Sequence, residues 1–215
     1  MDRDDHITDD RRNTMPDTHG QVLESLERYW KTLRHADRIP ARNDIVPSQI
    51  DHVLPYAFIL QRVAPGTARF RVAGQKLHDV LKMDARGMPV TTLFHPESRD
   101  HIKDLLEAAF SEPAIIAIPL TSPGSLLRPT LEATMLWLPL SDQDGKATRI
   151  LGALVAGSNA EGTRPRRFMI PDGAKIRHEP LAGPRPVVSL VPRDPSQPKR
   201  PNAMRPALRL VVNNG

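Results

Sequence analysis

Eight histidines and not one cysteine set the chemistry open to this chain of 215 residues. The missing thiol rules out disulfides, thiolate metal sites, cysteine nucleophiles and thioether-linked haem. His95 and His101 flank the start of a helical segment, but at i and i+6 they share no helix face, and no HExxH or paired-carboxylate pattern supports a metal site. A nucleotide-phosphate site would need a glycine-rich loop between a strand and a helix, and neither GxxxxGK followed by Ser or Thr nor GxGxxG occurs. No NTPase, kinase or dinucleotide enzyme is recognisable in these residues. The expectation is a protein that is not an enzyme, with no metal bound.

The segments that would have to position any site occupy only part of the chain. With 22 prolines and a mean hydropathy of −0.41, some of the sequence should lie outside a packed core. Residues 157–215 carry eleven Lys and Arg against four acids, a net of +7, while the whole chain carries +5, so residues 1–156 carry −2. The basic character therefore belongs to the C-terminal part. The opening MDRDDHITDDRR is acidic and polar, unlike a secretory signal. The apolar runs 114–118 and 150–156 are broken by Pro119 and Gly152 and fall short of the roughly 20 residues needed to span a bilayer. The expectation is a cytoplasmic protein without membrane contact, in three parts: a disordered arm over 1–16, a folded domain over 17–157, and a Pro-rich, basic, mostly disordered tail over 158–215.

Thr18 and Gln21 stand at capping-box spacing ahead of Leu23, Leu26, Trp30 and Leu33, which recur at helical intervals. That stripe either packs on its own domain, the favoured reading, or forms a dimer or partner contact. Pro47 can open a short helix over 48–54 that stops at Pro55. Segments 56–63 and 69–73 read as strands joined by the turn Ala64-Pro65-Gly66-Thr67. Leu77, Val80 and Leu81 mark a small helix, Gly87 a turn and Thr91–Phe94 another short helix. Pro96 and Glu97 open a longer helix with Ile102, Leu105, Leu106, Ala109 and Phe110 on its buried face, ended by Pro113. Strand-like segments at 114–121, 126–140 and 148–156 follow, separated by Ser122-Pro123-Gly124 and by Asp142-Gln143-Asp144-Gly145-Lys146, as antiparallel hairpins require.

This order of two strands, a run of helices and three strands resembles the PAS domain. Phe70-Arg71-Val72 is similar to the second PAS strand, Leu77 through Leu81 to the helix after it, Gly87 to the glycine before the next small helix, and His95-Pro96-Glu97-Ser98-Arg99 to the opening of the long helix. Tyr29-Trp30, Ile39-Pro40, Arg42, Asp44-Ile45-Val46-Pro47, Leu54-Pro55, Ala73-Gly74 and Arg149 to Ala153 further resemble a family of short, stand-alone PAS proteins of alphaproteobacteria, over about residues 26–156. Ala73-Gly74-Gln75 departs from the Asn-Pro-Ala-like segment of many sensor PAS domains, so their ligand rules do not transfer. The resemblance implies an α+β fold: a five-stranded antiparallel sheet with helices on one face, preceded by an N-terminal helix.

It also implies a regulatory role in bacterial signal transduction through contact with a signalling protein, with a homodimer as one arrangement. A small-molecule cavity between sheet and helices would be lined by Phe58, Phe70, Leu81, Leu106, Met135, Trp137 and Leu154, although the same residues suit an ordinary core. Haem, held in some PAS sensors by a histidine on the long helix, would point to His101, with surface or capping roles as the ordinary alternative. Cysteine-dependent flavin photochemistry is excluded. In the basic tail, Arg164–Phe168 (RPRRF) is the densest patch for nucleic acid, but no recognition helix accompanies it, and a solvated linker or protein-docking tail is favoured. Residues 208–212 (LRLVV) could add to a sheet edge.

Overall fold

The computed structural model describes residues 18–35, 38–126, 128–157 and 164–181. Six strands form one antiparallel sheet: β1 (Ala57–Ala64), β2 (Thr67–Ala73), β3 (Ala114–Ser122), β4 (Leu131–Ser141), β5 (Ala147–Ala156) and β6 (Arg177–Pro180), in the spatial order β2-β1-β5-β4-β3-β6. The first five are those expected from sequence. The sixth lies in the stretch expected to be tail.

The central strands are apolar on both sides, so the sheet carries two layers. Along β5, Ile150 and Leu154 point to one face and Leu151, Ala153 and Val155 to the other, as the two-residue period of a strand demands. The first face is covered by α2 (Gln75–Leu81), a 3-10 turn at Val90–Leu93 and α3 (Arg99–Ser111), whose inward residues are Ile102, Leu106, Ala109 and Phe110. The second is covered by α1 (Thr18–Leu33) together with Ile45, Ile50 and Val53. Helices thus lie on both faces of the sheet, α1 alone opposite the others. The capping box expected at Thr18 involves a side chain outside the described residues.

Glycine decides two local geometries. Gly66, at φ +60°, makes the β1–β2 turn that a branched residue would strain. On β5, Gly152 lies beneath the Phe58 ring: a Cβ there would stand 2.3 Å from Phe58 Cζ and 2.6 Å from the Leu136 carbonyl oxygen. The bare backbone lets an aromatic ring from β1 sit directly against β5.

Two expected elements are shorter than their patterns suggested. The segment after Pro47 is a 3-10 turn at Pro47–Gln49 followed by further turns, because Pro55 leaves too little room for an α-helix to repay its nucleation. β4 begins at Leu131 rather than Leu126: Ser125 and Arg128 close a turn through hydrogen bonds of 2.7 and 3.0 Å, and Leu126 stands fully exposed.

The largest difference is C-terminal. Residues 164–181, expected as part of a solvated tail, form a strap across the domain. The N–H of Phe168 donates to the Leu93 carbonyl and the N–H of His95 to the Phe168 carbonyl, each at 2.8 Å. Met169 and Thr121 exchange hydrogen bonds of 2.8 and 2.9 Å, and β6 then pairs with Ala114–Ala117 of β3. The physical reason is Phe168, which is wholly buried in the inner core. One aromatic anchor and backbone pairing hold a segment that prolines bar from periodic structure.

Candidate functional site

All seven residues named as cavity lining come together on the inner face. Phe58, Phe70, Leu106, Met135 and Trp137 are completely inaccessible, and Leu81 and Leu154 nearly so. They touch one another as a core: the Phe58 and Phe70 rings meet edge to face with centroids 5.5 Å apart, a favourable arrangement for aromatic pairs. One polar atom interrupts this packing. Trp137 Nε1 is buried and finds no acceptor among the described residues. A buried N–H without a partner is disfavoured, so this atom adds a cost to the packing around it.

His101 lies elsewhere. The buried stripe of α3 runs through Ile102, Leu106, Ala109 and Phe110, and His101 falls off it and is exposed. It lines a surface groove of about 450 Å³ between the start of α3 and the strap, with Glu97, Ser98, Ile170, Asp172 and Ile176 around it. The haem expectation is therefore corrected in its geometry: this imidazole does not face the inner core.

The N-terminal helix packs inward. Leu26 and Trp30 are wholly buried on the outer sheet face, with Val22 and Tyr29 beside them, and Leu23 and Leu33 are half-buried at the margin. Trp30 Nε1 donates to the Pro139 carbonyl at 3.0 Å, and the Tyr29 hydroxyl accepts from the Val46 N–H at 2.7 Å. Of the two readings of the stripe, the chain's own sheet takes it up. Leu26 and Trp30 are not free for a second chain in this arrangement.

The strap reverses the expectation for the RPRRF patch. Arg166 is 2% exposed and Phe168 is fully enclosed, so two of its five residues face inward. The Arg166 guanidinium donates to the Pro129 carbonyl at 2.9 Å, and its N–H donates to the Val80 carbonyl at the same distance. Burial, and then the neighbouring Arg128 charge, lower its pKa. Arg167 donates to the Thr92 carbonyl. These cations fasten the strap rather than form an open basic surface.

Electrostatics tie the strap to the outer layer as well. Arg177 of β6 and Lys31 both pair with Glu27 of α1, the latter at 2.7 Å. Burial acts to raise the Glu27 pKa, but the hydrogen bonds from Arg177 and Lys31 and their charges outweigh it and hold the carboxyl below its ordinary range. Elsewhere, the Arg86 guanidinium beside Asp84 lowers the pKa of that half-exposed carboxyl to about 2.

Two features escaped the sequence reading. Phe168 and Arg166 anchor the strap; the available signal was Phe168-Met169-Ile170, a compact apolar triplet amid prolines and arginines. The second is a part of the outer sheet face that no described helix covers. Across one rung, Leu138 and Leu151 are buried and Ile59 is 7% exposed, yet Val72 on the edge strand is 48% exposed. The cover provided by α1 stops short of β2, leaving a groove of about 90 Å³ between Val72 and Leu54. Periodicity had marked Val72 as apolar but could not show that its layer ended before reaching it.

Among the described residues, no helix is long and apolar enough to cross a membrane. A search of curated proteins returned no match. Among solved structures, the chain is similar to the light state of the blue-light photoreceptor Aureochrome1 LOV, with 14% identity, a TM-score of 0.39, and coverage of 53% of this chain and 89% of that one. A light-oxygen-voltage domain studied with a flavin analogue is similar at 14% identity and a TM-score of 0.39, over 52% of this chain and 85% of that one. A family model described as PAS domain matches residues 19–155, from the second residue of α1 to the penultimate residue of β5, and so takes in both covered faces of the sheet. The chain belongs to the PAS domain family.

Proposed function

We propose that this chain is a non-enzymatic regulatory module of bacterial signal transduction, of the short stand-alone PAS kind found in alphaproteobacteria, acting by contact with a signalling protein. Membership of the PAS family supports a sensory or regulatory role. The observation that carries the contact reading is the filled interior: the seven side chains placed to line a cavity pack on one another, with the Phe58 ring seated over Gly152. A regulator whose interior is occupied by its own residues has its surface left to work with.

The test uses the full chain isolated from its native cells. Native mass spectrometry should give the polypeptide mass of 24.0 kDa with no retained small molecule, and one protein should co-isolate at a fixed ratio. Failure to find a stoichiometric partner above an unrelated bait overturns the reading.

A second reading, a sensor holding a small ligand or haem in the core, is favoured by one observation, the partnerless Nε1 of Trp137. A retained mass accompanied by a visible absorbance band would establish it. Nucleic-acid association through the tail is less supported, because its densest basic patch is turned partly inward.

A further inference from the structure

On the uncovered side of the outer sheet face, an apolar rung lies beside a basic one. Residues directly opposite in antiparallel strands share a face, which places Val72, Ile59 and Leu151 in one row. The next row on the same face is Arg69, Gln61 and Arg149, with the Arg69 guanidinium donating to the Gly87 carbonyl at 2.7 Å. Arg71, at the irregularity in β2, donates to the Gln61 side chain at 2.7 Å and so joins that row. Arg42 lines the groove from the opposite margin. Among the described residues, none of these four arginines has a carboxylate partner, whereas Arg62, Arg86 and Arg177 each do. Leu54, 39% exposed, lines the same groove as Val72 and extends the apolar strip.

We propose that this strip docks an acidic amphipathic helix of the signalling partner, its apolar stripe in the groove between Val72 and Leu54 and its carboxylates on the arginines. The proposal rests on the protein-contact reading above and supplies the chemistry of the partner.

A helix fits better than an added strand. At the β2 edge the N–H and carbonyl of Phe70 are already bonded to Met88 and Gly87, at 3.0 and 2.8 Å, so a ladder along that edge would be interrupted. A second copy of this chain fits poorly, since a two-fold contact would bring one set of positively charged arginines against another. A membrane fits poorly too, because the apolar residues line a recess between two segments instead of protruding.

The test is fluorescence anisotropy of a labelled peptide of about five helical turns, with a leucine stripe flanked by glutamates, titrated with the full chain. Val72→Asp and the double variant Arg42→Glu with Arg149→Glu should each weaken binding by about tenfold or more, with circular dichroism confirming that both are folded. The same peptide with lysines in place of glutamates should bind the wild type weakly and recover on the double-charge variant. Absent binding of the glutamate peptide, equal binding of both peptides, or no effect of the variants overturns the proposal. So does a Val72-dependent pelleting with phosphatidylglycerol vesicles without peptide binding, or a Val72-dependent dimer by light scattering. Partner co-isolation that survives in the patch variants sinks this proposal alone; its absence in the wild type sinks the reading beneath it.

Discussion

Replacing Phe168 with alanine asks whether residues 164–181 are structure or decoration. The ring is wholly buried against the inner core, so its transfer from water contributes about 1.5–3 kcal/mol. The space it vacates adds a cavity term, bringing a buried Phe→Ala change to about 3–5 kcal/mol. The loss should appear first in residues 166–169 of the strap, whose remaining ties are backbone hydrogen bonds to Val80, Leu93, His95 and Thr121 and the arginine contacts to Pro129 and Thr92, while β6 keeps its pairing with β3. Hydrogen exchange measured amide by amide is the direct assay. The N–H groups of Arg166, Phe168 and Met169 should lose between roughly a hundredfold and a few thousandfold of protection, since each 1.4 kcal/mol is a factor of ten. Amides in the β1–β5 pairing should lose less. Urea unfolding followed by the fluorescence of Trp30 and Trp137 gives the global cost, and Arg164→Ala, at an exposed strap position, serves as the control. A global change under about 0.5 kcal/mol with unaltered strap protection is what surface substitutions produce, and it would refute the account of the strap as a core element.

Gly152→Ala should destabilise by about 1–3 kcal/mol in denaturant titration, because the new methyl meets the Phe58 ring at 2.3 Å; the loss should shrink in a Phe58→Leu background, since the two sites share the same space. Trp30→Phe should cost about 1–3 kcal/mol by leaving the buried Pro139 carbonyl without its donor, which thermal unfolding will read as a lower Tm. Glu27 has a lowered pKa, so its contribution is complete above the unfolded-state value near 4.5 and is lost as pH falls through the lower folded value. Glu27→Gln should therefore flatten the stability profile below about pH 4.5. A profile identical to the wild type would remove Glu27 as the link between α1 and β6.

The PAS order was legible because it rests on strong local signals. Alternation in Arg69–Val72, the turn at Gly66 and the Pro96–Glu97 opening of α3 each specify an element without help from distant residues. The packing of Leu26 and Trp30 was legible only as an amphipathic stripe, since periodicity states that a face will be buried and not by what. The strap was hidden for a different reason. Phe168 is held by long-range contact with Leu93, Phe94 and His95, and proline density around it argued correctly against periodic structure but wrongly against order. The cavity residues were chosen on strand and helix faces, and all seven lie on the inner one; whether they enclose space depends on ring orientations such as that of Phe58 over Gly152, which spacing does not encode. The uncovered arginines and Val72 needed the position where α1 ends its cover, a fact of three-dimensional layering.

β6 has a further consequence, for the behaviour of the chain in a crowded solution. It consists of Arg177, His178, Glu179 and Pro180, all exposed, and it lies on Ala114–Ala117 of β3, where Ala114, Ile115 and Ile116 are fully buried. Without it, an apolar β-branched strand would become the open margin of the sheet and a template for pairing between molecules. Short length, charge and a proline make β6 a poor template itself. Shortening the chain after Gly157 to discard its basic end would therefore remove the strip that guards β3 and leave a domain prone to associate edge to edge, whereas a boundary after Leu181 keeps the guard in place.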